Sequence, residues 1–190
     1  MLAKDTGARL ILEQFSDNPF LARFYEDPER YAFQLELSFL SERYQQIKTE
    51  MGHPDLFGQP VISDYFLVKS FIFSKQNLKL DEMKLFEKLY SIIYPQAPRP
   101  DLYVDLHLPV ERLLENIKQR GRTYEQNIRP EYLQELQEGY FGFFRSQTDL
   151  KIVVIDTSKF DFVHDPTHYT RIKKLILEGE FKPGMSTLIL

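Results

Sequence analysis

The fold is decided by residues 101–125, which read DLYVDLHLPVERLLENIKQRGRTYE. The first eight of these residues form a largely apolar run that is typical of a buried strand. Apolar residues then recur at helical spacing in a segment that ends near Arg120. A strand followed by an amphipathic helix predicts one unit of an α/β fold.

Two arginines flank a glycine where this predicted helix ends, and a carboxylate follows three residues after the second arginine. The four residues are Arg120, Gly121, Arg122 and Glu125. Fixed positive charge on a flexible hinge, beside an acceptor for hydroxyl groups, predicts a lid over residues of about 118–128 that closes on an anion. The alternative interpretation is a solvated helix end, where cations interact favourably with the negative end of the helix dipole.

Composition restricts the class of protein. The 190 residues are 43% apolar and include 16 Phe and 11 Tyr, which is sufficient for the core of a single domain over residues 1–190. We find no run of about 18 apolar residues and no secretory leader, and therefore predict no membrane span. The absence of cysteine excludes disulfides and thiolate chemistry and fits a cytoplasmic protein. A net charge of −4 argues against nucleic-acid binding.

Strand and helix patterns alternate along the rest of the chain. Further strands are predicted at residues 8–15, 61–66 and 151–156, with turns at 16–19 and 53–55. Helices are predicted before Gly7, over residues 28–48, from a cap at Asp81, from Pro130, and through Ile176. Residues of about 179–190 are expected to form a C-terminal tail. This alternation predicts a layered α/β fold with a largely parallel sheet.

Polar groups follow three of the predicted strands. Glu13 and Asp64 stand at the ends of the first two, and a loop follows Asp156. Ligands of parallel sheets bind outside the carboxyl ends of the strands, so these groups predict a cleft. Two carboxylates with a basic lid favour transfer of a phosphoryl group to a hydroxyl, where positioning and charge neutralisation do most of the work. For Glu13, the alternative is a strand-end carboxylate in solvent.

Glu36 and Arg43 lie seven residues apart on the long predicted helix. Seven residues are two helical turns, so both side chains point to the same side of the helix. The spacing is compatible with two groups that face one cavity and with a weakly coupled surface pair.

The chain as a whole resembles the deoxynucleoside kinase family, particularly the bacterial deoxyadenosine/deoxyguanosine kinase type. The resemblance depends on the order and spacing of several motifs along nearly the whole chain. They are Leu12-Glu13-Gln14-Phe15, Asp17-Asn18-Pro19-Phe20, residues 24–34, Ser63-Asp64-Tyr65 with Ile72-Phe73, the lid, and Ile155-Asp156 with Asp161-Phe162. The resemblance implies a P-loop-kinase-like three-layer fold and ATP-dependent phosphorylation of the 5′-hydroxyl of a deoxynucleoside in nucleotide salvage.

The resemblance also implies roles at the acceptor nucleoside. Glu13 matches the general base that takes the proton of the 5′-hydroxyl. Tyr25 and Glu125 match the pair that binds the sugar 3′-hydroxyl. The residues that match positions around the nucleobase are Glu36, Arg43 and Phe73, the last of which stacks on it.

Further matches concern the phosphate donor. Arg120 and Arg122 match arginines that close on the donor phosphates. Asp161 and Phe162 match positions beside the adenine of ATP, with an ordinary core residue as the alternative for Phe162. Magnesium bridges the donor phosphates in such a site, and Asp64 is the carboxylate expected near it.

The chain departs from the family at the phosphate-binding loop. The family has a Gly-x-x-x-x-Gly-Lys-Ser/Thr loop, whereas none of the eight Gly of this sequence is followed by Lys. In the family this loop follows a central strand, between the strands that match residues 61–66 and 101–108. We therefore expect the central first strand to be missing from a clipped chain that begins at an internal Met, and its activity as given to be doubtful.

Smaller departures concern the nucleobase. Ser63-Asp64-Tyr65 stands where the family often has an acidic residue, Arg and Ser, and Lys69 stands where Asp often helps to read the base. Glu36, where Gln is common, accepts a hydrogen bond from an exocyclic amine, which adenine and cytosine have and thymine lacks. Among these bases, we expect a purine.

Other classes of protein remain open from the sequence. One is a non-catalytic, kinase-derived subunit or nucleoside-binding protein, and another is a thymidylate-kinase-like nucleotide kinase. A homodimer, or a heterodimer with a related subunit, is expected from the helices that contain Phe33 and Leu85.

Overall fold

The computed structural model describes residues 1–15, 18–51 and 58–189. It divides into two compact units, Met1–Arg99 and Pro100–Leu190. The predicted turn at residues 53–55, and Ser16 and Asp17 of the earlier turn, lie outside the described residues. The predicted single domain over residues 1–190 stays a prediction.

The first unit contains five α-helices and two strands among its described residues. They are α1 (Leu2–Thr6), β1 (Arg9–Ile11), α2 (Leu21–Glu26), α3 (Pro28–Met51), β2 (Val61–Ser63), α4 (Val68–Asn77) and α5 (Leu80–Ile93). The two strands are parallel, with Arg9 opposite Val61 and Ile11 opposite Ser63. Parallel strands end at the same edge, so the segments after β1 and β2 leave the sheet side by side.

The core of the first unit is aliphatic and aromatic. Phe86 of α5 is inaccessible to solvent and packs with Ile11, Leu40 and Tyr65. A second cluster joins α2 to α3 through Phe24, Ala32, Leu35 and Phe39. These contacts hold α3 against the strands and helices that carry the candidate site residues.

The second unit contains a three-stranded parallel sheet. Its elements are β3 (Tyr103–His107), α6 (Val110–Arg120), a short 3₁₀ helix (Thr123–Glu125), α7 (Pro130–Ser146), β4 (Lys151–Asp156), α8 (Pro166–Glu178) and β5 (Gly184–Ile189). The strand order is β3-β4-β5. Ile152, Val153, Val154 and Ile155 of the middle strand are all at most 2% exposed, as expected for a parallel strand covered on both faces.

The α/β class with parallel sheets is confirmed, and β4 has the predicted bounds. Gly7 ends α1 with a φ of 65°, and Gly121 ends α6 with a φ of 70°, both in the left-handed region that favours glycine. The absence of a central first strand stays a prediction.

Three local predictions are wrong. The expected tail at residues 179–190 contains β5, because the backbone of Gly184–Ile189 pairs along the whole of β4. Asp81 lies in the first turn of α5 and does not cap it; the Glu82 carboxylate accepts the backbone N–H of Lys79 at 3.0 Å. The first two strands are shorter than predicted, and Glu13 lies two residues beyond β1.

Among the helices of the described ranges, none combines the length and the apolar character needed to cross a bilayer.

Candidate active site

The Glu13 carboxylate lies just beyond β1 and is held by a buried arginine from α3. Its Oε1 atom accepts a hydrogen bond from Arg43 Nε at 2.7 Å and lies 2.6 Å from Arg43 Nη2. The side chains of Arg43 and Glu13 are 4% and 12% exposed. Two charge-assisted contacts to one guanidinium fix the orientation of the carboxylate. The alternative of a strand-end Glu in solvent is therefore excluded by its burial.

Arg43 is itself anchored. Its Nη1 donates to Ser70 Oγ at 2.6 Å, and its guanidinium carbon lies 4.9 Å from the ring centroid of Phe39. A guanidinium held by a carboxylate, a hydroxyl and an aromatic face has little freedom to move. Arg43 is thus a fixed part of the site.

Lys69 of α4 occupies the other oxygen of the Glu13 carboxylate. Its Nζ donates to Oε2 at 2.6 Å and also lies 5.8 Å from the ring centroid of Phe73. In the sequence, Lys69 stands out only as a departure from the family that the chain resembles, and its contact with the Glu13 carboxylate was not predicted. The sequence feature that could have predicted this contact is a lysine in the first turn of a largely buried helix, because a cation there requires a partner of opposite charge.

The environment keeps Glu13 ionised. Burial raises the pKa of this carboxyl, but the charges and hydrogen bonds of Arg43 and Lys69 outweigh burial and hold the pKa below its ordinary value. The backbone N–H of Glu13 donates to Asp64 Oδ1 at 2.8 Å. The two residues predicted at the strand ends are therefore in direct contact, through the backbone N–H of Glu13 and the carboxylate of Asp64.

Glu36 lies on the same helix as Arg43 and is buried, with 1% of its surface exposed. Its Oε1 accepts a hydrogen bond from Asn77 Nδ2 at 2.6 Å, while its Oε2 has no hydrogen-bond partner among the described residues. Burial raises the pKa of this carboxyl to about 7, against the opposing effects of Asn77 and Arg43. Because Glu36 and Arg43 are both buried, the interpretation as a surface pair is wrong.

A small cavity adjoins this cluster. It has a volume of about 20 Å³ and is lined by Glu13, Gln14, Phe39, Glu42, Arg43 and Gln46. Its volume suits about one water molecule. Tyr25 and Phe73 lie in the same unit but do not line this cavity. Tyr25 is half-buried and packs edge-on against Phe24, with ring centroids 5.3 Å apart.

The predicted lid lies in the second unit and forms an ion-pair cluster. The Glu125 carboxylate accepts hydrogen bonds from Arg120 Nη2 and, at 3.1 Å, from Arg122 Nη1. Its side chain is 8% exposed, whereas those of Arg120 and Arg122 are 47% and 30% exposed. Gln126 Nε2 donates to the carbonyl oxygens of Arg122 and Ile117 and ties this turn to the end of α6. The lid therefore presents two guanidiniums around one buried carboxylate.

The two residues predicted beside adenine differ in their surroundings. Asp161 is exposed, accepts the backbone N–H of His164 at 3.0 Å, and lies 3.0 Å from its Nδ1. These hydrogen bonds hold the pKa of the Asp161 carboxyl below its ordinary value. Phe162 is half-buried and packs against the apolar cluster of Val153, Ile155 and Ile172, as an ordinary core residue does.

The structure thus brings the predicted residues together in two groups. In residues 1–99 they are Glu13, Arg43 and Asp64, with Glu36 nearby on α3. In residues 100–190 they are Arg120, Arg122 and Glu125. Within the described parts of the chain, no three His, Cys, Asp or Glu side chains are grouped so that they could hold a metal ion.

The chain is similar to known proteins over most of its length. The sequence model of the family described as deoxynucleoside kinase matches residues 1–179. A deoxyguanosine kinase of Bacillus subtilis is 31% identical over 182 residues, which cover 94% of this chain and 88% of that protein. A deoxyadenosine/deoxycytidine kinase of the same organism is 27% identical over 168 residues, covering 86% and 77%.

A solved structure has the same fold. The structure of a deoxyadenosine kinase from M. mycoides, with the products dCMP and dCDP bound, superposes with a TM-score of 0.78. The match covers 93% of this chain and 88% of that chain at 22% sequence identity.

Proposed function

This chain belongs to the deoxynucleoside kinase family, and we propose that it transfers a phosphoryl group from ATP to the 5′-hydroxyl of a deoxynucleoside, with a purine favoured. The observation that carries this proposal is the Glu13 carboxylate, which is kept ionised by Arg43 and Lys69. An ionised carboxylate is the group that a hydroxyl nucleophile needs as its base.

The proposed reaction is a direct displacement at phosphorus. Glu13 accepts the proton of the 5′-hydroxyl as that oxygen forms a bond to the terminal phosphorus of ATP. The bond between this phosphorus and the bridging oxygen breaks, and ADP leaves with the electron pair. Charge is neutralised by the protein, and no covalent enzyme intermediate forms.

Roles at the acceptor nucleoside are proposed residue by residue. Tyr25 and Glu125 bind the sugar 3′-hydroxyl, because a phenol and a carboxyl group both form hydrogen bonds with hydroxyl groups. Arg43, Glu36 and Phe73 face the base. Support for Glu36 comes from its Oε2, which has no partner in the part of the chain that the structure describes and which accepts a hydrogen bond when ionised and donates one when protonated. Support for a purine comes from the relatives, one of which is named for deoxyguanosine and the other for deoxyadenosine and deoxycytidine.

The donor site is proposed around the lid. Arg120 and Arg122 form ion pairs with the two oxygens of the Glu125 carboxylate. Phosphate groups are the other anions that guanidinium groups bind in this way. Asp161 and Phe162 lie beside the adenine. Magnesium is proposed to bind at Asp64, an exposed carboxylate with one oxygen engaged by the Glu13 backbone, because magnesium takes few protein ligands and completes its shell with phosphates and water. When bound, it neutralises charge on the donor phosphates.

A homodimer, or a pair with a related subunit, is proposed through α5. Leu85, Leu89 and Ile92 are 48%, 37% and 64% exposed and recur at helical spacing on this helix. Light scattering of Leu89→Glu should give a smaller mass than the wild-type chain. An equal mass for both would contradict this interface.

The proposed function is tested by measuring binding and turnover separately. Calorimetry with deoxyguanosine, deoxyadenosine, deoxycytidine and thymidine measures binding, and release of ADP measures transfer. We expect Glu13→Gln to abolish transfer and to leave nucleoside binding within a few-fold, because the amide keeps the shape of the carboxylate but does not accept a proton. Glu29→Gln is the matched control, since Glu29 is 85% exposed.

The other possible results of these binding and turnover measurements would each contradict part of the proposed function. Binding without transfer by the wild-type chain would favour the non-catalytic subunit or nucleoside-binding protein. Transfer that survives in Glu13→Gln would remove Glu13 as the base. A wild-type chain that neither binds nor phosphorylates any of the four nucleosides would overturn the proposal.

A further inference from the structure

The two oxygens of the buried Glu36 carboxyl differ in their hydrogen bonds. Asn77 Nδ2 of α4 donates to Oε1 at 2.6 Å, whereas Oε2 has no partner in the described part of the chain. Glu36 is 1% exposed, so water does not replace the missing partner at the surface. A buried oxygen without a partner destabilises the fold, and a bound polar group that reaches it removes that cost. Oε2 is therefore the oxygen of Glu36 that is available to a ligand.

Asn77 lies on the face of α4 that carries Phe73, the residue proposed to stack on the base. Lys69, Phe73 and Asn77 follow one another at intervals of four residues, so their side chains lie on one side of the helix. Lys69 Nζ lies 5.8 Å from the ring centroid of Phe73, and Asn77 contacts Glu36 one turn further along α4. The contact between Asn77 and Glu36 therefore belongs beside the proposed base site.

The hydrogen bond from Asn77 also decides which oxygen carries the proton when Glu36 is neutral. An amide N–H donates to an oxygen that bears no proton, so the proton of a neutral Glu36 belongs on Oε2. The charged groups that act on Glu36 within the described ranges are Arg43 of α3, Lys69 of α4 and Glu13 after β1. Burial raises the pKa of the carboxyl to about 7 against the Asn77 bond and the two cations, so both forms are present near neutral pH. Oε2 is thus an acceptor in one form and a donor in the other.

We infer that Asn77 determines which purines Glu36 recognises: with Oε1 bound to Asn77, Oε2 accepts from a 6-amino purine when the carboxyl is ionised and donates to a 6-oxo purine when it is protonated. This inference rests on the proposed function, in which Glu36 faces the base. Asn77 is a positioning residue, since it acts through Glu36. A single carboxyl then recognises two classes of purine that present opposite hydrogen-bonding groups at position 6.

The experiment measures the binding of deoxyadenosine and deoxyinosine by calorimetry at pH 5 and pH 8. These two nucleosides differ only in the 6-amino or 6-oxo group and in the proton on N1. The ratio of their dissociation constants cancels any effect of pH that acts on both equally. The proteins are the wild type, Asn77→Leu, Glu36→Gln and Asn116→Leu. Asn116 of α6 is the matched control, because it is an exposed asparagine in a helix.

We expect the wild type to favour deoxyadenosine at pH 8 and deoxyinosine at pH 5, with a change of about tenfold in the ratio of the dissociation constants. Asn77→Leu should bind the two nucleosides equally at pH 5, because its neutral Glu36 can present either oxygen to the base. Glu36→Gln should favour deoxyinosine at both pH values, since its amide presents a donor that does not titrate. Asn116→Leu should behave as the wild type does.

Nitrogen-15 NMR tests which oxygen of Glu36 meets the base. The side-chain amide signals of Asn77 are identified by their absence from Asn77→Leu, and those of Asn116 give the reference for an amide in water. We expect the Asn77 signals to keep their hydrogen-bonded shifts when deoxyadenosine binds at pH 8. A move to the shifts of Asn116 would show that the base displaces Asn77 from Oε1, which overturns the inference.

Three other results overturn the role of Asn77 and leave the proposed function intact. They are a wild-type preference that is the same at both pH values, an Asn77→Leu protein that keeps the wild-type preference at pH 5, and a Glu36→Gln protein whose preference still changes with pH. A wild type that binds neither purine also overturns the inference, and the four-nucleoside panel with release of ADP then decides separately on the proposed function. Asn77→Ala replaces Asn77→Leu if the leucine variant does not fold.

Discussion

The buried carboxylate of Glu125 accepts a hydrogen bond at 3.1 Å from Arg122, whose side chain is 30% exposed. Arg120 approaches the other oxygen of the same carboxylate. The lid thus carries its own anion between its two guanidiniums. Under the proposed function, a donor phosphate would compete with Glu125 for these guanidiniums, while Glu125 would also bind the sugar 3′-hydroxyl. The proposal therefore links the binding of the phosphate donor to the binding of the sugar through one side chain.

Removing the charge of Glu125 should destabilise the lid only modestly. We expect Glu125→Gln to lower the free energy of unfolding by about 1 kcal/mol, because solvent screens the partly exposed arginines. Urea unfolding measures this change, with the exposed Glu138→Gln as the control. If Glu125→Gln lowers the free energy of unfolding by no more than Glu138→Gln does, the ion pairs of Glu125 contribute nothing to stability.

Glu36 should make stability depend on pH. Its folded pKa is raised from 4.5 to about 7, so the folded chain binds the extra proton more tightly than the unfolded chain does. The resulting stabilisation is fully present below pH 4.5 and is lost as the pH rises through about 7. A shift of this size corresponds to a change of the order of 3 kcal/mol.

The test is urea unfolding of the wild type and of Glu36→Gln at pH 5 and pH 8. We expect the wild type to lose stability between these two pH values, and the glutamine variant to lose less because it carries no titrating group there. Glu50→Gln, a substitution of an exposed acid on the same helix, is the control. Equal losses in all three proteins would contradict the assignment to Glu36.

Substitutions of Phe162 distinguish between two roles for this residue, a part of the apolar core and a contact to adenine. It packs against Val153, Ile155 and Ile172, so we expect Phe162→Ala to lower the free energy of unfolding by about 2 kcal/mol. The neighbouring Val163→Ala should have little effect, since Val163 is 62% exposed. The KM for ATP, measured with the milder Phe162→Leu, separates the two roles. A higher KM at unchanged stability would support the adenine contact over the core role.

The local patterns of the sequence predicted most of the elements. Val153 to Ile155 are continuously apolar because both faces of β4 are covered, and this pattern is visible without a structure. Gly121 marks the end of α6 because only glycine adopts its left-handed conformation without strain. The C-terminal strand was missed because β5 is an edge strand whose alternating burial leaves Met185 and Ile189 exposed.

The sequence by itself determined the features that depend on residues close together along the chain. Arg120 and Glu125 are five residues apart, so their proximity follows from a helix end and one turn. Glu13 lies 30 residues from Arg43 and 56 from Lys69, and these contacts exist only because α3 and α4 pack beside the end of β1. Only the tertiary structure decided which cations meet that carboxylate, because burial and distance depend on how the helices pack, and spacing along one helix does not specify its partners.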